Sequence, residues 1–167
     1  NIRKKAEEKL ESYKKELELR VELRTKELLS NQERLKYALE ATYDGIWDWN
    51  IKTNHVFFSP RFYQLLDFDP GDFDSTIASW NHLIHPDYKE LVTHTREKHK
   101  AKKGVGYKIE YKMYNKYGKS FWVLESGKLV ESTTSKPERM VGTIEDISKQ
   151  KKAEKKLQHY INEMVAL

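Results

Sequence analysis

Cysteine does not occur in this chain. Disulfides, thiolate metal sites, cysteinyl nucleophiles and cysteinyl-flavin adducts are therefore excluded. No run of about 18 apolar residues is available to span a membrane, and the first residues lack a signal-peptide pattern. Any membrane anchor of a parent protein would lie outside these 167 residues. A Gly-rich phosphate cradle and an HExxH zinc pattern are also missing, so the chain itself is expected to be non-enzymatic. Glycine and proline number only 7 and 4, and neither falls within residues 1–42.

Charge of both signs is what the chain has most of, at 34 % of residues against 38 % hydrophobic, with a net charge of +5. This balance describes a hydrophilic chain with one modest core. The basic excess sits on the flanks: residues 1–36 carry 11 basic and 8 acidic side chains, residues 37–148 carry 15 and 16, and residues 149–167 carry 5 and 2. Interspersed Lys and Glu at helical spacing match the exterior of a solvated coiled coil better than a phosphate-binding surface. No nucleic-acid partner and no membrane contact are expected, and a cytoplasmic location follows.

Residues 1–42, rich in Glu, Lys and Leu, read as one long helix. Ile2, Ala6, Leu10, Tyr13, Leu17, Val21, Arg24, Leu28, Asn31/Gln32, Leu35 and Leu39 recur at steps of three or four. So narrow a stripe cannot build a globular core, yet it fits a parallel coiled coil, with Leu10, Leu17, Val21, Leu28 and Leu35 as the expected homodimer seam. The four-residue step from Leu17 to Val21 departs from a strict heptad and would locally unwind a supercoil. Arg24 and Asn31 either fix register within the seam or face solvent.

From Asp44 the period becomes two, and Gly45 to Ile51 and His55 to Ser59 read as strands joined by a turn at Lys52-Thr53-Asn54. Ser59-Pro60 opens a short helix through Leu66, and the acidic stretch Asp67 to Asp74 is a loop. Further helices are expected over Thr76 to Leu83 and from His85-Pro86-Asp87 onward, the latter ended by Gly104 and Gly106. Tyr107 to Asn115, Ser120 to Glu131 and Arg139 to Asp146 read as strands, with a polar loop over 132–138. Hairpin connections favour an antiparallel sheet with the short helices on one face, an α+β arrangement. Ser148 is the expected cap of a final helix whose first turn carries Lys149, Lys151 and Lys152.

That final helix contains KKAEKKL at Lys151 to Leu157, which nearly repeats KKAEEKL at Lys4 to Leu10. A strand running straight into a charged helix, echoed upstream, suggests one period of an array. The chain lacks an initiating Met and stops within a helical stretch, so it is read as a piece of a longer protein. Three parts are expected: a signalling helix (1–42), a sheet domain (43–147) and an output helix (148–167).

These residues resemble the PAS domain, in its bacterial sensory-box form that follows a signalling helix. The resemblance is carried by Asp44-Gly45 with Trp47-Asp48-Trp49, Phe58-Ser59-Pro60 with Arg61-Phe62, Trp80, and His85-Pro86-Asp87. It continues through Glu110-Tyr111, Gly118, Trp122-Val123-Leu124 and Met140-Val141-Gly142-Thr143 to Asp146-Ile147-Ser148. The segment Leu19 to Asn31 is similar to the linker helix of sensor histidine kinases. The resemblance implies a five-stranded antiparallel sheet, and a role for Asp146 in clamping the sheet end to the outgoing helix; Ser148 stands where the family has Thr. Coupling is expected at Asp146, Ile147 and Ser148, supported by Trp47 and Gly142.

Family members bind haem, flavin, carboxylates or nothing between sheet and helices, and analogy does not choose among them. Trp49, Trp80, His82, His94 and Trp122 are the candidate lining of a small-molecule pocket, although aromatic residues in a small sheet domain also simply fill its core. Haem would need an axial histidine such as His94 or His99, with Leu91 and Val92 facing inward. A histidine on such a helix is commonly solvated or part of the packing, a non-covalent flavin has no supporting residue, and the cofactor is left open, with none as the leading expectation. The Asp67, Asp69, Asp72 and Asp74 loop lacks the closing Glu of a calcium loop, no metal site is expected, and His159 lacks the surroundings of a phosphoacceptor. Two functional readings remain. One is a sensory relay in a homodimeric signalling protein, coupled to an effector domain of the same parent chain; the other is a ligand-free dimerisation spacer in a diguanylate cyclase or other multidomain protein.

Overall fold

Alternating aromatic and aliphatic side chains after Asp44 need a common buried face, and a pleated sheet supplies one. In this computed structural model, which describes residues 1–102, 104–130 and 138–167, β1 (Gly45–Asn50) and β2 (Val56–Phe58) form the first hairpin. Asn54 closes its turn at a φ of 60°, a left-handed conformation that Asn tolerates. After the helices come β3 (Tyr107–Tyr114), β4 (Ser120–Val130) and β5 (Arg139–Asp146), and the five strands lie in the order β2-β1-β5-β4-β3, antiparallel throughout. The expected strand end at Glu131 and nearly all of the 132–138 loop lie outside the described residues. Glu138 is described, and its carbonyl accepts the Ile51 N–H at 3.2 Å.

Three helices, α2 (Pro60–Leu65), α3 (Ile77–Leu83) and α4 (Pro86–Lys100), cover one sheet face. Each starts where the sequence offers a cap: Ser59 Oγ accepts the Phe62 N–H, Thr76 Oγ1 that of Ser79, and His85 Nδ1 that of Asp87. Ser59 Oγ also takes the Ile46 N–H at 2.9 Å, tying α2 to β1. The α4 helix ends at Ala101 rather than at Gly104; the Lys102 N–H turns back to the His99 carbonyl at 3.1 Å. Phe62, Trp80 and Val92 from the helices, and Ile84 between α3 and α4, pack against Trp47, Tyr111, Met113, Val123, Met140 and Ile144 from the sheet, all buried.

β5 runs into α5 (Ser148–Val165), and Tyr43–Leu167 forms one compact unit. The other unit, Asn1–Thr42, consists of α1 (Ile2–Ala41), a 40-residue helix with no buried residue. At a rise of about 1.5 Å per residue it is roughly 60 Å long. The seam candidates Leu10, Leu17, Val21, Leu28 and Leu35 are all exposed. No helix is long and apolar enough to cross a membrane among the described residues.

Candidate functional site

Two places in the Tyr43–Leu167 unit carry unusual chemistry: the centre of the layer between sheet and helices, and the passage from β5 into α5. In the layer, the side chains facing inward from α4 are Val92 and Arg96, one turn apart. Leu91, expected inward, is half-exposed, because a step of one residue rotates a side chain about 100° away from Val92. His94 is likewise exposed, so α4 presents an arginine rather than a histidine to the interior.

Arg96 meets Glu125, which β4 points inward in register with Val123 and Gly127. The pair is bidentate, Arg96 Nε to Glu125 Oε2 at 3.1 Å and Nη2 to Oε1 at 2.6 Å. Tyr107 donates to Oε2 at 2.6 Å and Tyr111 to Oε1 at 2.7 Å, so each carboxylate oxygen receives two hydrogen bonds and its acceptor capacity is filled. The third guanidinium nitrogen donates to Asn81 Oδ1 at 2.9 Å, and the guanidinium lies 4.2 Å from the centre of the Trp80 ring. Burial works against the Arg96 charge, but the Glu125 carboxylate outweighs it and raises the arginine pKa. Burial, followed by that carboxylate, pushes the hydroxyls of Tyr107 and Tyr111 well above the ordinary tyrosine range. Trp80 Nε1 alone is buried without an acceptor among the described side chains.

The proposed pocket residues therefore do not form one group. Trp49 and Trp80 are buried, with Trp49 Nε1 bound to Asn54 and Trp80 packed edge-on to Trp47, Phe58 and Phe62. His82 and His94 are exposed, and Trp122, whose neighbours Phe121 and Val123 have the opposite strand parity, lies on the strand face opposite Val123, where its ring meets Tyr88 of α4 edge-on. His99 turns its ring to Tyr107 and the Thr95 carbonyl. Arg96 and Glu125, the polar centre of this layer, were not expected there, since arginine and glutamate are seldom buried. Their signal in the sequence is parity: Arg96 lies one helical turn after Val92, and Glu125 alternates with Val123.

Trp47 and Gly142 are brought together. They are register partners, and Gly142 in turn faces Gly127 across β4. A Cβ at Gly142 would stand 1.8 Å from the Ser126 carbonyl oxygen and 2.7 Å from the Trp47 ring, and one at Gly127 would also meet that ring at 2.7 Å. Two glycines on adjacent strands thus let the indole lie across the sheet, where its Nε1 donates to the Thr143 carbonyl at 3.1 Å.

At the sheet exit, Ile147 is the single residue between β5 and α5; it is buried, and its N–H donates to the Trp122 carbonyl at 3.1 Å. The capping expectation for Ser148 is corrected: Ser148 is the first helical residue, and Asp146 Oδ1 accepts its N–H at 2.9 Å. The carboxylate two positions earlier reaches the free N–H, and its charge suits a helix start that holds three lysines and no acid. Lys151, expected only as one of the lysines in the first turn of the final helix, reaches Glu110 on β3 at 2.5 Å. Its exposed neighbours gave no signal for this; only the inward-outward parity of β3 and β4 would have.

The acidic loop is tied down by its own neighbours: Asp72 accepts the Asp69 N–H at 2.9 Å and Asp67 accepts from Asn115 Nδ2 at 3.0 Å. No group of three or more His, Cys, Asp or Glu among the described residues is placed to hold a metal ion. His159 sits beside Glu163 one turn on.

A family profile described as the PAS fold matches residues 55–144, just over half of the chain. Among solved structures, a sensory box histidine kinase/response regulator from Burkholderia thailandensis superposes with a TM-score of 0.66 at 28 % identity, covering 80 % of this chain and 99 % of that one. The N-terminal domain of a diguanylate cyclase with a PAS/PAC sensor from Marinobacter aquaeolei gives a TM-score of 0.56 at 21 % identity, covering 64 % of this chain and 97 % of that one, a likeness of fold. A hybrid signal transduction histidine kinase A from Dictyostelium discoideum is 41 % identical over 44 residues, which is 26 % of this chain and 2 % of that protein's length.

Proposed function

The chain belongs to the PAS fold family, and from that premise we propose that it is the sensory or regulatory module of a larger cytoplasmic signal-transduction protein, of the sensor histidine kinase kind. In this reading two copies dimerise through α1, and conformational bias passes from the sheet into α5 and on to an effector domain of the same parent chain. The observation that carries it is the junction: a core strand becomes the outgoing helix through one buried residue, Ile147, so a shift of β5 is a shift of α5. Asp146, Ile147 and Ser148 are the coupling residues, with Trp47 and Gly142 setting how β5 lies against β1 and β4.

The apolar residues of both helices support the dimer. Leu10, Leu17, Val21, Leu28 and Leu35 on α1, and Leu157, Ile161 and Met164 on α5, are exposed at steps that repeat every three, four or seven residues, a pattern that another copy of the same helix would bury. Any signal acts by favouring one of two helix arrangements and needs different free energies of interaction with each. Sedimentation of the 167-residue chain tests this reading: a dimer is expected, and a monomer at high micromolar concentration would contradict it.

One observation favours a second reading, a ligand-free relay or dimerisation spacer of the kind a diguanylate cyclase or other multidomain protein could carry. Arg96, Glu125, Tyr107, Tyr111 and Asn81 satisfy one another's hydrogen bonds in the space between sheet and helices, with Trp80 packed on the guanidinium. Native mass spectrometry separates the two, since a stoichiometric bound compound would support the sensor and a bare chain the spacer.

A further inference from the structure

α5 carries no buried residue, so whatever sets its direction must lie at its first turn. That turn is poorly suited to stand alone: Lys149, Lys151 and Lys152 face the positive end of the helix dipole with no acid among them. Of these three, Lys151 is the one with ion-pair partners among the described residues. Its ammonium lies 2.5 Å from Glu110 Oε2 on β3 and 4.7 Å from the centre of the Trp122 ring on β4. The Trp122 carbonyl, on the same residue, accepts the Ile147 N–H at 3.1 Å.

We propose that Lys151 is a positioning residue that clasps α5 to the sheet through Glu110 and Trp122 and so fixes the direction in which the helix leaves the domain. This rests on the relay reading above. The geometric reason is that one anchor leaves a helix free to swing, whereas two define its axis. Ile147 is the first anchor, and Lys151 follows one turn later, about 6 Å along the axis. Both converge on Trp122, so the backbone and side-chain attachments share one residue of the central sheet.

The clasp has a built-in alternative. Glu154, on the next turn of α5, lies 3.5 Å from the same ammonium. When Lys151 leaves Glu110, it retains the Glu154 carboxylate on its own helix, and the half-exposed Glu110 carboxylate is left to solvent. Opening therefore exchanges one exposed partner for another, which keeps the two states close in free energy and lets a modest bias from the sheet shift α5.

Hydrogen exchange of the 167-residue chain tests this, read over residues 148–154 with the amides of β1 and β5 as the folding control. Lys151→Met should speed exchange in the first turns of α5 several-fold without moving the sheet amides, and Lys151→Arg should return it toward the original rate. Glu154→Gln should slow exchange, because it removes the alternative partner. The charge swap Lys151→Glu with Glu110→Lys should exchange more slowly than Lys151→Glu alone. Unchanged rates in Lys151→Met, or a swap no slower than the single variant, would overturn the clasp. Failure of the relay itself is seen separately, as unaltered output of the parent protein when exchange in α5 has changed.

Discussion

Arg96 and Glu125 meet through two parallel hydrogen bonds, at 3.1 and 2.6 Å, although the arginine is 3 % exposed and the glutamate not at all. Neither would be tolerable alone. The pair persists because Tyr107, Tyr111 and Asn81 complete its hydrogen bonds and Trp80 stacks on the guanidinium, which is the condition under which a buried ion pair offsets its desolvation cost.

Removing one partner should cost far more than removing both. Arg96→Met leaves the carboxylate buried and is expected to destabilise the fold by about 3–5 kcal/mol. Adding Glu125→Leu should recover part of that loss, so that the double variant is more stable than the sum of the single changes predicts. Urea denaturation midpoints of the three variants measure it.

The same network makes an alkaline prediction. Burial and the Glu125 carboxylate raise the Tyr107 and Tyr111 pKa values in the folded state above the ordinary 10.0. Below pH 10 both states hold these protons and the contribution is constant. Above it the unfolded chain releases them while the folded chain retains them, so stability falls as pH rises. Of the ten tyrosines, two should ionise only as the sheet unfolds. Tyrosinate absorbance followed alongside circular dichroism checks this, and ten independent titrations without unfolding would refute it.

Gly142 should tolerate no side chain. In Gly142→Ala the new Cβ would lie 1.8 Å from the Ser126 carbonyl oxygen, which forces β4 and β5 apart and should cost about 3 kcal/mol or more. Gly106→Ala is the contrast: among the described residues its Cβ would meet only the Gly127 carbonyl, at 3.5 Å, and its stability should stay within about 0.5 kcal/mol. Thermal unfolding of the two variants separates them.

Asp146→Ala removes the acceptor of the Ser148 N–H and should cost about 1 kcal/mol, confined to the start of α5. Asp146→Asn keeps an acceptor and should stay close to the original. Folding should survive in both, while output of the parent protein should be uncoupled in Asp146→Ala; unchanged output would remove Asp146 from the coupling residues.

The elements were legible in the sequence because their determinants are local. Ser59-Pro60, Thr76 and His85-Pro86 mark helix starts, and alternation from Trp47 to Trp49 marks a strand on one buried face. Strand order and the ring-over-glycine packing of Trp47 depend on pairing between distant segments, which residue spacing does not encode. The site was legible only in part. Asp146, Ile147 and Ser148 stand out by their place between strand and helix, whereas Arg96, Glu125 and Lys151 look like ordinary surface charges until the register of β3, β4 and α4 shows what each one faces. Trp122 was misread for the same reason, since a strand tryptophan invites a core assignment and only parity places it on the strand face opposite Val123.

The proposed relay also lets bias enter through α1, cross the sheet domain and leave through α5, and the absence of native cysteine makes a direct test clean. The proposed dimer is locked at two rotational settings of α1, by disulfides through Val21→Cys or through Glu22→Cys, with spin labels introduced at Gln158 by a non-canonical amino acid. The distance between the two labels, measured by pulsed electron spin resonance, should follow two different distributions in the two locked forms. Identical distributions would contradict the relay and leave the chain a spacer.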